Sequence, residues 1–383
     1  MSNYIVSARK YRPQKFSEVV GQSHVTDTLK NALTTEQLAQ ALLFCGPRGV
    51  GKTTCARILA KVVNCDAPIE GFDGCKDTSQ QHQMENVSSF SIFELDAASN
   101  NSVEGIRSLI EQVRYVPPQG KKKVYIIDEV HMLSTAAFNA FLKTLEEPPP
   151  YAIFILATTE KHKILPTILS RCQIYDFSRI GVEPIVAHLV EISEKEKIEA
   201  DADALNLIAQ KADGALRDAL SMFDRLLSAG QGKITYESTL SNLNILDHDY
   251  YFSIIDAFLV ENIAEVLNKY NEIQQKGFDG DLFINGLANH FRNLLVAKDE
   301  ATVALLTVGK AIEAKYLQQA KLTPTTFILN ALNVCSTADV QYKMAKNKRL
   351  HIEMALIRLN YLNSTIEIAQ GNEVELKKKV NLN

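Results

Sequence analysis

The chain has 383 residues, 46% apolar and 22% charged, with a formal net charge of −4. Its length exceeds what one core holds, so two or three domains are expected, and its composition is that of a soluble globular protein. The charge excludes a molecule that coats nucleic acid by bulk attraction, so any DNA binding needs a local surface or aimed helix N-termini. No apolar run nears the roughly 18 residues of a membrane span, and Met1–Val6 lacks a signal peptide's apolar core. The reading is a cytoplasmic protein with no membrane partner. The six cysteines (45, 55, 65, 75, 172, 335) are scattered, and an intracellular chain gives no reason to expect disulfides.

In chain order, Ser7-Ala8-Arg9-Lys10-Tyr11-Arg12-Pro13 is a basic arm. Beside a nucleotide site it can wrap the base; by itself it can equally be a solvated leader. Ala41-Leu42-Leu43-Phe44 then reads as a buried strand, followed by Gly46-Pro47-Arg48-Gly49-Val50-Gly51-Lys52-Thr53-Thr54 and a run of helical spacing through Ala56, Leu59, Val62 and Val63. Strand, Gly-rich loop and helix are the context of a phosphate-binding loop. Its backbone N–H groups close around a polyphosphate and the helix N-terminus adds positive potential. Lys52 would reach the β- and γ-phosphates of ATP, and Thr53 would place its hydroxyl on Mg²⁺.

Residues 65–91 form a polar insert. Cys65 and Cys75, with His82 as a third candidate, fall short of the four close ligands that zinc requires, so the insert reads as a flexible loop. Ile92–Asp96 has a buried-strand pattern, and a helix from Val103 to Tyr115 follows, with Asn101 or Ser102 as N-cap and Pro117 and Pro118 ending it. Val124-Tyr125-Ile126-Ile127-Asp128-Glu129 reads as a central strand delivering two carboxylates to the nucleotide edge. Asp128 would hold Mg²⁺ through water, and Glu129 would orient and deprotonate the attacking water.

Ser134 caps a helix whose Phe138, Phe141, Leu142 and Leu145 form a core face. Ile153 to Thr159 is a further buried strand ending in hydroxyls, and Ile174–Phe177 is the last. Five buried strands alternating with helices predict an open α/β sheet. After residue 180 the strands stop. Residues 181–244 read as a small helical bundle, and 245–366 are helical again, with Leu350, Met354, Ile357 and Tyr361 on one face; 367–383 looks like a frayed tail.

These motifs carry a resemblance. Ala8-Arg9-Lys10-Tyr11-Arg12-Pro13, the Gly-rich loop, Glu94 to Ser99, Ile127 to Ser134, Leu142 to Pro149, Ser170-Arg171-Cys172 and Lys346-Asn347-Lys348-Arg349-Leu350-His351 together are similar to the gamma/tau family of bacterial DNA polymerase III clamp-loader ATPases, of the AAA+ class, over nearly the whole chain. The resemblance implies an AAA+ P-loop domain at 1–180, a helical lid at 181–244 and a collar at 245–366. It implies a pentamer with delta, delta-prime and further gamma/tau copies that uses ATP and Mg²⁺ to open the beta sliding clamp and load it on primed DNA. Hydrolysis then releases the closed clamp, and no polymerase activity resides in this chain. Arg171 becomes the arginine finger acting in trans and Arg217 the lid sensor in cis. Thr158 and Thr159 share the first sensor position, with Thr159 preferred. Arg12 lies near the adenine, and Ser102, Arg107 and Lys143 fall where relatives meet DNA backbone.

The chain departs from the pattern at Thr78 and Gln81, where the family sets two more cysteines, which argues against a structural zinc. Gln40 stands where His is frequent, with little consequence expected. The chain ends soon after the collar, as a gamma-like or truncated form would. A non-hydrolysing scaffold paralogue would lack Lys52, Thr53 or Glu129, and another AAA+ DNA-remodelling ATPase would not need the run from Lys346 to His351.

Overall fold

A computed structural model describes residues 5–76, 91–99, 103–117, 122–230, 232–306, 308–362 and 364, without the side chains of 103, 107, 310 and 311. The contacts divide the chain into two units, Met1–Lys233 and Ile234–Asn383. The segments expected at 1–180 and 181–244 share the first unit up to Lys233, and the helical remainder forms the second.

The first unit begins with α1 (Ser7–Lys10) and α2 (Ser23–Thr34), then β1 (Ala41–Cys45) and α3 (Lys52–Val63). β2 (Ile92–Asp96), α4 (Val103–Val113), β3 (Lys123–Asp128), α5 (Thr135–Glu146), β4 (Ala152–Thr158), α6 (Pro166–Leu169) and β5 (Gln173–Asp176) follow. The strands make one parallel sheet in the order β2-β3-β4-β1-β5. β3, which ends in Asp128, lies inside the sheet between β2 and β4, as expected of a central strand. One expectation is corrected here. β2 and β5 are only partly buried, because an edge strand has a neighbour on one side alone; β1 and β4 are buried throughout and so read as unbroken apolar runs.

Alternation sorts the strand residues between two layers. Leu43, Tyr125, Phe154 and Leu156 pack with Ile106, Phe138, Phe141 and Leu145 of α4 and α5. Leu42, Phe44, Ile126 and Ile155 pack with Val25, Leu29, Ile58 and Leu59 of α2 and α3. Phe93, Tyr125 and Phe154 stack across three neighbouring strands, with ring centroids 4.9 and 5.4 Å apart. Ser134 caps α5, its Oγ accepting from Ala137 N at 3.2 Å. α4 stops at Val113, two residues short of the expected Tyr115. Gln40 donates to the Pro149 carbonyl at 2.8 Å and ties the entry of β1 to the loop before β4.

The segment expected as the lid comprises α7 (Val182–Glu196), α8 (Ala202–Lys211) and α9 (Leu216–Ala229). Strand structure does not stop at 180: Glu199–Ala200 and Lys233–Ile234 are two-residue strands, too short to show any periodicity. The insert departs more sharply from expectation, since Cys65 and Cys75 form a disulfide. An antiparallel bridge between Pro68 and Cys75, with Ile69 N donating to Gly74 O at 2.8 Å, turns the chain back on itself. That turn brings the two Cα atoms to 5.9 Å, within disulfide range, a proximity that reasoning from compartment could not foresee. Asp73 of the same turn accepts from Ser17 N and Oγ at 2.9 and 2.6 Å. Among the described residues no three His, Cys, Asp or Glu side chains gather to hold a metal; Thr78, Gln81 and His82 lie outside them, as do Asn101, Ser102, Pro118 and the 367–383 tail.

The second unit is helical: α10 (Tyr236–Leu243), α11 (His248–Leu259), α12 (Ile263–Gln275), α13 (Gly280–Val296), α14 (Lys310–Leu322), α15 (Thr325–Tyr342) and α16 (Lys348–Asn360). Phe258, Phe283, Phe291, Phe327 and Leu356 anchor its core. The Lys346–His351 run starts α16. Asn347 caps it, accepting from Leu350 N at 3.0 Å, and His351 Nε2 lies 2.9 Å from the Ala338 carbonyl of α15. Leu350, Met354, Ile357 and Tyr361 remain 40–49% exposed. Among the described residues no helix is long and apolar enough to cross a membrane.

A buried polar chain crosses this second core. Gln319 donates to Phe252 O and Asp256 Oδ1 at 2.8 and 2.7 Å, which leaves its Oε1 to accept from His290 Nε2 at 3.0 Å. His290 Nδ1 then accepts from Tyr316 OH at 3.0 Å. The ring is therefore neutral, and burial pushes it down to about 3; burial lowers His248 as well. A base whose folded value lies below its unfolded value of about 6.5 contributes stability that is full above 6.5 and is lost as pH falls toward 3. Between about pH 7.5 and 5.5, before most carboxylates titrate, opening of α13 is expected to become easier by ~1.4 kcal/mol, or about tenfold. Hydrogen exchange of α13 amides, corrected for intrinsic rate, measures this; pH-independent protection would contradict a neutral buried ring.

Candidate nucleotide-hydrolysis site

The site begins with three glycines that other residues could not replace cheaply. Gly46 has φ +147°, and a Cβ there would lie 2.3 Å from the Phe177 carbonyl; Gly51, the N-cap of α3, has φ +107°. The left-handed turns at Gly49 and Gly51 wrap the loop over the start of α3, whose first N–H groups have no intrahelical partner. Lys52 is 6% exposed, and its Nζ donates to Gly46 O at 2.8 Å and Pro47 O at 2.7 Å. Burial lowers its pKa, against the opposing pull of Glu129 and Asp128. The loop thus holds its own cation where phosphate oxygens would compete for it.

Thr53 Oγ1 donates to Asp128 Oδ2 at 2.7 Å. The β3–β4 register pairs Ile127 with Leu156, so Asp128 and Glu129 emerge beside the hydroxyls that end β4. Glu129 lies in the left-handed region, φ 48° and ψ 44°, at a cost of about 1 kcal/mol for a residue with a Cβ. That turn sends its carboxylate to β4, where Oε2 accepts from Thr159 Oγ1 at 2.9 Å and Thr159 N at 3.2 Å. Thr158 is fully buried and faces His131 instead, so of the two threonines Thr159 is the one at Glu129.

A cavity of about 710 Å³ lies over the loop, a volume suited to a nucleotide. Val19, Val20, Ile180, Leu216 and Leu220 contribute apolar lining, and Arg48, Thr54, Asp128, Glu129 and Arg217 line it too. The arm forms one wall through Val6, Tyr11, Arg12 and Pro13, which favours the wrapping role over a solvated leader. It is tied to the lid: Ser7 N donates to Asp224 Oδ2 at 2.7 Å, and Lys10 and Tyr11 both bond Glu196. Arg217 N donates to Gly49 O at 3.3 Å, seating the start of α9 on the Gly-rich loop. Burial lowers the Arg12 pKa, and Arg57, Arg217 and Arg9 lower it further against Glu94, which marks a cationic cluster suited to phosphate.

Arg171 does not line its own chain's cavity. It follows α6, is about one-third exposed, donates to Thr167 O at 2.6 Å and is paired with Glu146. Lys143 is exposed on α5, three residues before Glu146. Ser102 and the Arg107 side chain lie outside the described residues. Sequence reasoning assigned no role to His131, Glu146, Glu196 or Asp224. His131 carried a signal, an ionisable residue in an apolar stretch two positions after Glu129; the acids were indistinguishable from ordinary helix-surface charges.

Comparison with known families agrees with this geometry. Residues 21–181 match the model described as DNA polymerase III, delta subunit; residues 184–232 the DNA polymerase III clamp loader subunit, ATPase lid domain; and residues 234–371 the DNA polymerase III subunits gamma and tau domain III. DNA polymerase III subunit tau of Bacillus subtilis is 37% identical over 93% of this chain and 63% of its own length, and that of Escherichia coli is 38% identical over 93% and 55%. The chain therefore spans less than two thirds of those relatives. DNA polymerase III subunit gamma of Buchnera aphidicola subsp. Baizongia pistaciae is 34% identical over 94% of this chain and 98% of its own length. With the open parallel sheet, the Gly-rich loop, the lid and the helical third segment in that order, the chain belongs to the DNA polymerase III gamma/tau family, on an AAA+ P-loop fold.

Proposed function

We propose that this chain is the ATP-hydrolysing motor of a bacterial clamp loader, which opens the beta sliding clamp and loads it on primed DNA. One observation carries the reading: Lys52, Thr53, Asp128, Glu129 and Arg217 of the lid line a single cavity, with Thr53 bonded to Asp128 and Thr159 bonded to Glu129. Thr53 and Asp128 present hard oxygens at the strand edge, a set that fits Mg²⁺; the ion, when bound, would neutralise phosphate charge. Lys52 exchanges its two loop carbonyls for phosphate oxygens, and the N–H groups at the start of α3 bind the same chain. Glu129 accepts a proton from the attacking water while Thr159 reports the γ-phosphate.

Arg217 completes the site in cis, so the lid and the arm tied to it close on bound nucleotide. Arg171 completes a neighbour's site in trans, within a pentamer that includes delta, delta-prime and further gamma/tau copies. The exposed apolar face of α16, Leu350 to Tyr361, supports the second unit as the collar that holds those copies together. Lys143, Ser102 and Arg107 are proposed to meet the DNA backbone. ATP hydrolysis by the assembled complex, measured with primed DNA in the presence and absence of the clamp, tests the reading. Stimulation by DNA that changes when clamp is added is expected; turnover indifferent to both would refute it.

A further inference from the structure

We propose that His131 is a positioning residue that determines which oxygen of Glu129 faces the attacking water; this rests on the reading of Glu129 as the base. After the left-handed turn at Glu129, one 3-10 turn, Val130–Met132, brings the imidazole back beneath the end of β4. Its side chain is only 6% exposed, at the otherwise polar edge of the sheet. Nδ1 lies 3.0 Å from Thr158 Oγ1 and 3.4 Å from Glu129 Oε2, and Nε2 lies 3.4 Å from Glu160 Oε1. Thr158 Oγ1 also accepts from Glu160 N at 3.0 Å. The ring is therefore set against the residues that end β4, with Nδ1 near both the Thr158 hydroxyl and the Glu129 carboxylate.

The contacts on Glu129 are one-sided. Oε2 accepts from Thr159 Oγ1 and Thr159 N and lies 3.4 Å from His131 Nδ1, whereas Oε1 has no hydrogen-bond partner among the described residues. One oxygen is held and the other remains to accept a proton. The Thr159 hydroxyl cannot serve Glu129 and the γ-phosphate at once. When it turns to the phosphate, the carboxylate keeps one amide contact at 3.2 Å and the histidine. Without the histidine, the broad terminal torsion of a glutamate would let the base swing away from the water.

The test uses the full chain in the assembled complex with DNA. His131→Ala is expected to lower kcat by about 10- to 100-fold, the cost of a small misplacement of a reacting group, with KM for ATP and ADP affinity within about twofold of wild type. His131→Asn sets an amide where Nδ1 lies and should recover most of kcat, whereas His131→Gln, whose amide reaches the Nε2 position, should not. Unchanged kcat in His131→Ala, a change in KM alone, or equal rates for the Asn and Gln variants would overturn the proposal. If the Ala variant does not fold, the Asn–Gln comparison decides. Glu129→Gln run in parallel separates the two layers: normal turnover would remove the base and the proposal together. Loss of about 100-fold or more there, with His131→Ala unaffected, would remove the histidine's role alone.

Discussion

Lys52→Ala is expected to abolish nucleotide binding and turnover while leaving the fold intact. Lys52 Nζ makes two hydrogen bonds to the carbonyls of Gly46 and Pro47, and in the proposed site these go to phosphate oxygens. A hydrogen bond to a charged group contributes about 1.5–3 kcal/mol, so losing two weakens ATP affinity by about 10³-fold. The truncated side chain leaves loop carbonyls that water can reach through the open cavity, so the melting temperature should move little. Equilibrium ATP binding and steady-state hydrolysis, with melting as the control, check this. A folded variant with normal turnover would remove Lys52 from the site.

Arg171→Ala is expected to act only in the assembly. In its own chain the guanidinium rests on Glu146 and the Thr167 carbonyl, partly exposed. A pair that open to water is worth about 0–1 kcal/mol, so Arg171 is free to leave and its loss should barely change stability. A guanidinium delivered to a neighbour's γ-phosphate is worth about 10³-fold or more in kcat. DNA-stimulated hydrolysis by the complex should fall by about that factor with ATP affinity nearly kept, and the isolated chain's slow hydrolysis should be unchanged. Equal loss in the isolated chain would show that the arginine acts in cis.

The readable parts of the site were those in which neighbours in sequence are also neighbours in space. Gly46 to Thr54 is one strand-to-helix connection, so its residue types state its backbone geometry. Asp128 and Glu129 end a strand, and Thr158 and Thr159 end another; a parallel sheet delivers both ends to one edge whatever the strand order. Apolar periodicity likewise exposed the α5 face and the buried runs of β1 and β4.

Burial pattern reports which face of an element is covered but not which neighbour covers it. Hence the central place of β4, the half-buried edges β2 and β5, and the hydrogen bonds from Thr159 to Glu129 required the folded chain. The same holds for the Ser7–Asp224 contact, which spans 217 positions, and for the Cys65–Cys75 pairing made by the turn at Pro68. Sequence by itself determined the chemistry available here: a phosphate loop, two carboxylates and the arginines that could serve them. Tertiary structure decided which of those groups meet, that the arm is tied to the lid, and that a histidine stands beside Glu129. Hydrogen bonds and ion pairs depend on ångström distances between side chains, and residue order sets those distances only within a turn or two of the chain.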